Sequence, residues 1–142
     1  MICLELFGYG YSKRLCRDVV SWFISNHLPR HKLDITIVHK SLKGDGVYGY
    51  CDISGRQYNP REFLIELDTH LDKETYITVL LHELYHLLQF CKGELKLKSS
   101  KRYYNGKCVE DLEYYDQPHE ISARLNEQIL YCKYVQYKNN FS

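Results

Sequence analysis

The chain has 142 residues, 44% of them hydrophobic and 26% charged, with a formal net charge of +1. That length suits one domain, residues 1–142, and the composition is ordinary for a globular protein in water. The near-neutral balance gives no overall reason to expect nucleic acid or an anionic membrane as a partner, and no run of about 18 apolar residues exists to span a bilayer.

Met1-Ile2-Cys3-Leu4-Glu5 lacks the basic stretch and continuous apolar run of a signal peptide. A cytoplasmic location is expected, or the host cytoplasm if the chain is viral. The six cysteines are scattered, with no C-x-x-C pair. They are expected to stay reduced and to serve as small core hydrophobes. Tyr11 to His27 carries Leu15, Val19, Val20, Phe23 and Ile24 at helical spacing. Ser12 is a candidate N-cap, and Pro29 lies beyond the end. Leu33 to His39 alternates, with Leu33, Ile35, Ile37 and His39 on one face of a strand. After the turn-rich Ser41 to Gly46, Val47 to Ile53 reads as the returning strand of a hairpin. A loop at Gly55 to Pro60 leads to a third strand, Glu62 to Asp68. There Phe63, Ile65 and Leu67 alternate with Glu62, Leu64 and Glu66.

His82-Glu83-Leu84-Tyr85-His86 follows, inside the apolar stretch Val79 to Leu88. Asp72 is a candidate N-cap for this helix, and Lys92-Gly93 a stop. On an α-helix, residues i and i+4 share one face about one turn apart. Two imidazoles so placed can grip one Zn²⁺. Glu83 lies beside that face, where it can take a proton from a water activated by the metal. A buried helix rejects two histidines and a carboxylate unless something satisfies them, and a metal satisfies all three.

Gly93 to Gln117 is a long connection with weaker periodicity. Short strands or turns are expected at Tyr103-Tyr104 and from Val109 to Tyr115. Its basic run of Lys96, Lys98, Lys101, Arg102 and Lys107 reads as a solvated loop. The last helix begins near Asp116-Gln117-Pro118. Leu125, Ile129, Cys132 and Gln136 are its expected inner stripe, and Lys138 to Ser142 is expected to fray.

A zinc that does chemistry needs a third protein ligand and an open position. Glu120 is preferred, because it opens a separate helix and can face the central one. Ala123, one turn on, is small enough for the two helices to pack closely. His119, Asp116 and His70 are the alternatives.

Leu81-His82-Glu83-Leu84-Tyr85-His86, followed by Pro118-His119-Glu120-Ile121-Ser122-Ala123, resembles the gluzincin branch of zinc metallopeptidases. In its compactness the chain is similar to the minigluzincins and to related phage and bacterial zincin-like proteins. The resemblance covers roughly residues 60 to 130. It implies an α+β, zincin-like fold. Its parts would be an N-terminal helix, a small twisted sheet of three or four strands with an antiparallel edge strand, the active-site helix and a C-terminal ligand helix. It also implies that Phe63 to Leu67 is the substrate-binding edge strand, and that Tyr104-Asn105-Gly106-Lys107 matches an aromatic-x-Gly turn.

The chain departs from related patterns. SprT-like proteases have a histidine where this chain has Cys91, and the further histidine that follows a glycine in metzincins has no counterpart in Cys91-Lys92-Gly93. Larger gluzincins place an acid where Arg124 stands. The group that orients a ligand histidine must then lie elsewhere, with Glu66, Asp68 and Asn126 as options.

The implied chemistry is zinc-assisted peptide hydrolysis with Glu83 as general base. Tyr114 or Tyr115 would stabilise the oxyanion, with Tyr103 and Tyr104 as alternatives. A peptide or protein substrate would pair with residues 62–67 by β-augmentation, and the protein would be a monomer or weak dimer. Other readings are a zinc-stapled binding module closed by Cys91 or His119, and a regulatory ImmA/IrrE-like protease with one protein target. A DNA-associated protease is suggested only by the basic run.

Overall fold

Four stretches, Ile2–Phe7 (β1), Leu33–His39 (β2), Gly49–Ile53 (β3) and Glu62–Leu67 (β4), form a mixed sheet in the order β1-β2-β4-β3. This is a computed structural model, and it describes residues 1–141. β1, β2 and β4 run parallel; β3 pairs antiparallel with β4 and forms one edge. Alternation decides which face is buried. Leu33, Ile35, Ile37 and His39 of β2 and Phe63, Ile65 and Leu67 of β4 turn inward. Each large apolar side chain so buried contributes about 1.5–3 kcal/mol.

The sheet corrects the sequence reading in three places. β1 is a strand beyond those expected. β2 and β3 are not a hairpin, because β4 lies between them and β3 pairs with β4 instead. β4 is therefore internal and offers no free edge to a peptide. The physical reason is burial. β4 is the strand with three fully buried large side chains and a half-buried Leu64 on the opposite face, and such a strand belongs inside a sheet. The exposed Tyr50 and Asp52 suit β3 to the edge.

Three helices complete the α+β fold: Lys13–His27 (α1), Lys73–Cys91 (α2) and Pro118–Phe141 (α3). Ser12 caps α1, its hydroxyl accepting from Leu15 N at 3.2 Å, and Cys16, Val19, Val20, Phe23 and Ile24 form the buried stripe. Asp72 caps α2, accepting from Thr75 N at 2.8 Å. Gly93 ends it at φ +78°, a left-handed conformation that an L side chain resists. α2 is covered both by the sheet and by the helices α1 and α3. That double burial explains why its apolar residues run nearly all round.

The expected inner stripe of α3 is corrected. Leu125, Ile129, Cys132 and Gln136 are exposed; Glu120, Ala123, Leu130 and Tyr134 face inward. The rotation that buries Ala123, Leu130 and Tyr134 also brings Glu120 against His82 and His86. α3 continues through Phe141, past the expected fraying point, and Ser142 lies outside the described residues.

Residues 93–117 hold a second sheet, Leu95–Lys98 (β5), Lys101–Tyr104 (β6) and Lys107–Cys108 (β7), in meander order. Asn105 and Gly106, both at positive φ, make the turn between β6 and β7. All six cysteines are free, and only Cys16 and Cys51 are buried. Reading the cysteines as core hydrophobes holds for those two and fails for the exposed Cys3, Cys108 and Cys132. No helix among the described residues is long and apolar enough to cross a membrane.

Candidate metal centre

His82 and His86 stand one turn apart on α2, their ring centroids 4.8 Å apart and nearly perpendicular. The first turn of α3 brings Glu120 against them. Its Oε1 lies 3.0 Å from His82 Nε2 and 3.1 Å from His86 Nε2. The three donor atoms lie within 4.8 Å of one another, and all three residues are buried.

The far side of each ring is also engaged. His82 Nδ1 meets Glu127 Oε2 at 2.8 Å, and His86 Nδ1 meets Gln89 Oε1 at 2.8 Å. Gln89 Nε2 donates to the His119 carbonyl at 3.1 Å, which orients the amide so that its oxygen faces His86. An acceptor at Nδ1 draws the proton there. The two Nε2 atoms then converge on one carboxylate oxygen, to which they donate here and beside which they would offer lone pairs once a metal ion displaced their protons. Three ligand atoms of these types gathered in one buried spot could hold a metal ion.

The electrostatics carry the same signature. Burial opposes a charge on His82, but the carboxylates of Glu120 and Glu127 outweigh it and raise the imidazole pKa to about 10. Burial also works against charge on Glu120, yet hydrogen bonds from His82 and His86 hold its carboxyl well below the ordinary range. Without an ion the cluster is held together as a buried imidazole–carboxylate pair.

Glu83 is buried beside the cluster. Burial raises its carboxyl to about 7, against the opposing influence of His86 and His82. Gly49 of β3 leaves room for it. A Cβ there would sit 3.2 Å from Glu83 Cγ and 3.0 Å from the Glu66 carbonyl oxygen.

Two cavities of about 450 and 330 Å³ meet at the cluster, sharing Val47, Gly49, Glu83 and Tyr114. β3 borders the junction, and its register decides which backbone groups are free. Ser54 N bonds the Glu62 carbonyl and Asp68 N bonds the Tyr48 carbonyl. By antiparallel alternation, residues 50 and 52 also bond β4, whereas Gly49, Cys51 and Ile53 turn their N–H and C=O groups to the open edge. Arg102 reaches from β6 to Asp52 at 2.7 Å and ties the meander sheet to that edge.

The two tyrosines anticipated as oxyanion donors separate. Tyr114, itself 52% exposed, lines both cavities, and partial burial together with the charges of Glu120 and Glu83 pushes its phenol pKa up. Tyr115 is 70% exposed, lines neither cavity and packs under the Arg124 guanidinium at 3.9 Å. Arg124 also donates to the Tyr115 carbonyl, which fixes the short 3₁₀ turn Tyr114–Asp116.

The other candidates fall elsewhere. Asp116 and His70 are exposed. Glu66 pairs with Lys40 at 2.8 Å, Asp68 accepts from Leu42 N at 3.0 Å and Asn126 donates to the Ser122 carbonyl at 2.8 Å. None of the three orients an imidazole, so those options are corrected to Glu127 and Gln89. Spacing could have found both. Gln89 is one turn after His86, and Glu127 two turns after Glu120. Cys91 is not among the clustered donors. His119 is buried with neither ring nitrogen hydrogen-bonded, and burial lowers its pKa to about 4.

Comparison with family models, curated proteins and solved structures gives no match for this chain.

Proposed function

We propose that this chain is a zinc-dependent endopeptidase of zincin-like fold, with His82, His86 and Glu120 as ligands and Glu83 as general base. The observation that carries the reading is the convergence of two imidazole nitrogens and a carboxylate oxygen beside a buried glutamate, where two cavities meet under an open strand edge. Two neutral imidazoles and one carboxylate suit Zn²⁺, and three protein ligands leave a position for chemistry. A closed structural site would need a fourth donor, and the cluster among the described residues has three.

When bound, the ion supplies Lewis acidity, polarising a carbonyl and making a water acidic enough to lose its proton near neutral pH. Glu83, with its carboxyl near neutrality, accepts that proton and returns it to the leaving amine. The Tyr114 hydroxyl, kept protonated, donates to the oxygen that gains negative charge. An extended peptide pairs with the free groups of Gly49, Cys51 and Ile53, which holds its carbonyl over the cluster. The edge in use is β3, not the strand at 62–67.

Metal analysis beside a proteolysis assay on an unfolded-protein substrate tests the reading. Glu83→Gln should keep about one zinc per chain and lose about 10²- to 10⁴-fold in cleavage rate. His82→Ala and Glu120→Ala should lose both. Cleavage by Glu83→Gln at the wild-type rate would remove Glu83 from its role as base, and zinc-loaded wild type that cleaves nothing would remove the peptidase assignment.

A further inference from the structure

One buried group beside the cluster has no hydrogen-bond partner in it. His119 is 1% exposed, and its two ring nitrogens have no hydrogen-bond partner among the described residues. Leaving a buried polar atom unpaired costs about 1–3 kcal/mol, so an imidazole here calls for a reason. Its surroundings supply one. His119 Nε2 lies 3.6 Å from Glu120 Oε2, the oxygen that neither His82 nor His86 touches. The ring is held between His86, 5.5 Å away, and Tyr104, 6.1 Å away, while Gln89 anchors its backbone carbonyl.

We infer that His119 is a positioning residue for Glu120, its Nε2–H holding Oε2 so that Oε1 alone is presented to the metal. The inference rests on the metal-centre reading and not on the peptidase activity. The gap exceeds hydrogen-bond range by a few tenths of an ångström, a distance that a small rotation of either side chain closes. The pattern is then uniform. Glu127 stands behind His82, Gln89 behind His86 and His119 behind Glu120. Gln89 couples two of these supports, since its oxygen meets the His86 ring and its nitrogen the His119 backbone. With Oε2 so occupied, Glu120 would have only Oε1 to offer a bound ion.

The test uses the full chain stripped of metal, with zinc affinity read by competition against a chromophoric chelator and the metal-free melting temperature read in parallel. His119→Phe should weaken zinc binding by about 10- to 100-fold. Its metal-free melting temperature should stay level or rise, because two unpaired nitrogens leave the core. His119→Gln, which restores an N–H donor, should recover most of the affinity. If Phe does not fold, His119→Leu carries the same two readings. Wild-type zinc affinity in a folded apolar variant would overturn the inference. So would a loss of affinity that only follows a loss of melting temperature and that Gln does not repair. A wild-type chain that binds no zinc would overturn the metal centre itself, and this inference with it.

Discussion

Glu127 Oε2 meets Nδ1 of His82 at 2.8 Å, from a position two turns beyond Glu120 on the same face of α3. One helix therefore supplies both the carboxylate in front of the imidazole and the carboxylate behind it. Glu127→Ala should lower zinc affinity by about 10- to 100-fold without unfolding the chain, since this carboxylate is partly exposed. Glu127→Gln keeps an acceptor oxygen and should lose less. Calorimetric zinc titration of the two variants checks the order, and equal affinities in wild type and Ala would refute the role.

Tyr114 and Tyr115 are neighbours with opposite surroundings, one in the cleft and one under Arg124. Tyr114→Phe should reduce kcat by about 10²- to 10³-fold with little change in zinc affinity. Tyr115→Phe should leave kcat near wild type. Steady-state kinetics on both variants decide the matter, and a fully active Tyr114→Phe enzyme would strike the hydroxyl from the mechanism.

The open edge of β3 makes a backbone-level prediction. A substrate peptide carrying one N-methyl group at a position that pairs with Gly49, Cys51 or Ile53 loses one hydrogen bond, worth about 0.5–1.5 kcal/mol. KM should rise by about 2- to 13-fold at alternate positions only. A positional scan of N-methylated peptides reads this directly, and a scan without a two-residue period would exclude strand pairing.

His39 predicts a pH dependence of stability away from the cluster. It is buried, with Nε2 2.7 Å from the Tyr76 hydroxyl and Nδ1 3.3 Å from the Phe7 carbonyl. Burial lowers its pKa, the Phe7 carbonyl opposes this and the charge of Lys13 adds to the lowering. The unfolded chain, with a histidine pKa of about 6.5, takes up the proton first as the pH falls. Stability from this group is therefore complete above that value, declines below it, and stops declining once the pH passes the folded pKa. His27, His31 and His119 are also lowered and act with the same sign. Melting temperatures at about pH 7.5 and about pH 5.5 should differ less for His39→Gln than for wild type. An unchanged difference would mean that His39 contributes nothing.

The helices were legible because their signals are local. Ser12, Asp72 and Gly93 sit where the first two helices begin or stop. The same locality makes His82 and His86 neighbours at i and i+4, whatever else the chain does. The strand order was not legible. Val47 to Ile53 looks like a partner for Leu33 to His39 when read along the chain, yet β4, which comes later, takes the place between them. Alternation marks which residues face inward but not which strand lies beside which, and that depends on how much apolar surface each neighbour covers.

The cluster divides in the same way. Its two imidazoles and adjacent base follow from the 3.6-residue repeat of a single helix, so the amino-acid order alone determined them. The meeting of Glu120 with both Nε2 atoms, and the support of His82 by Glu127, needed the rotation of α3 against α2. So did the exclusion of Tyr115 from the cleft. Those are contacts between elements some 30 to 45 residues apart, and packing, not local spacing, decides where such elements touch.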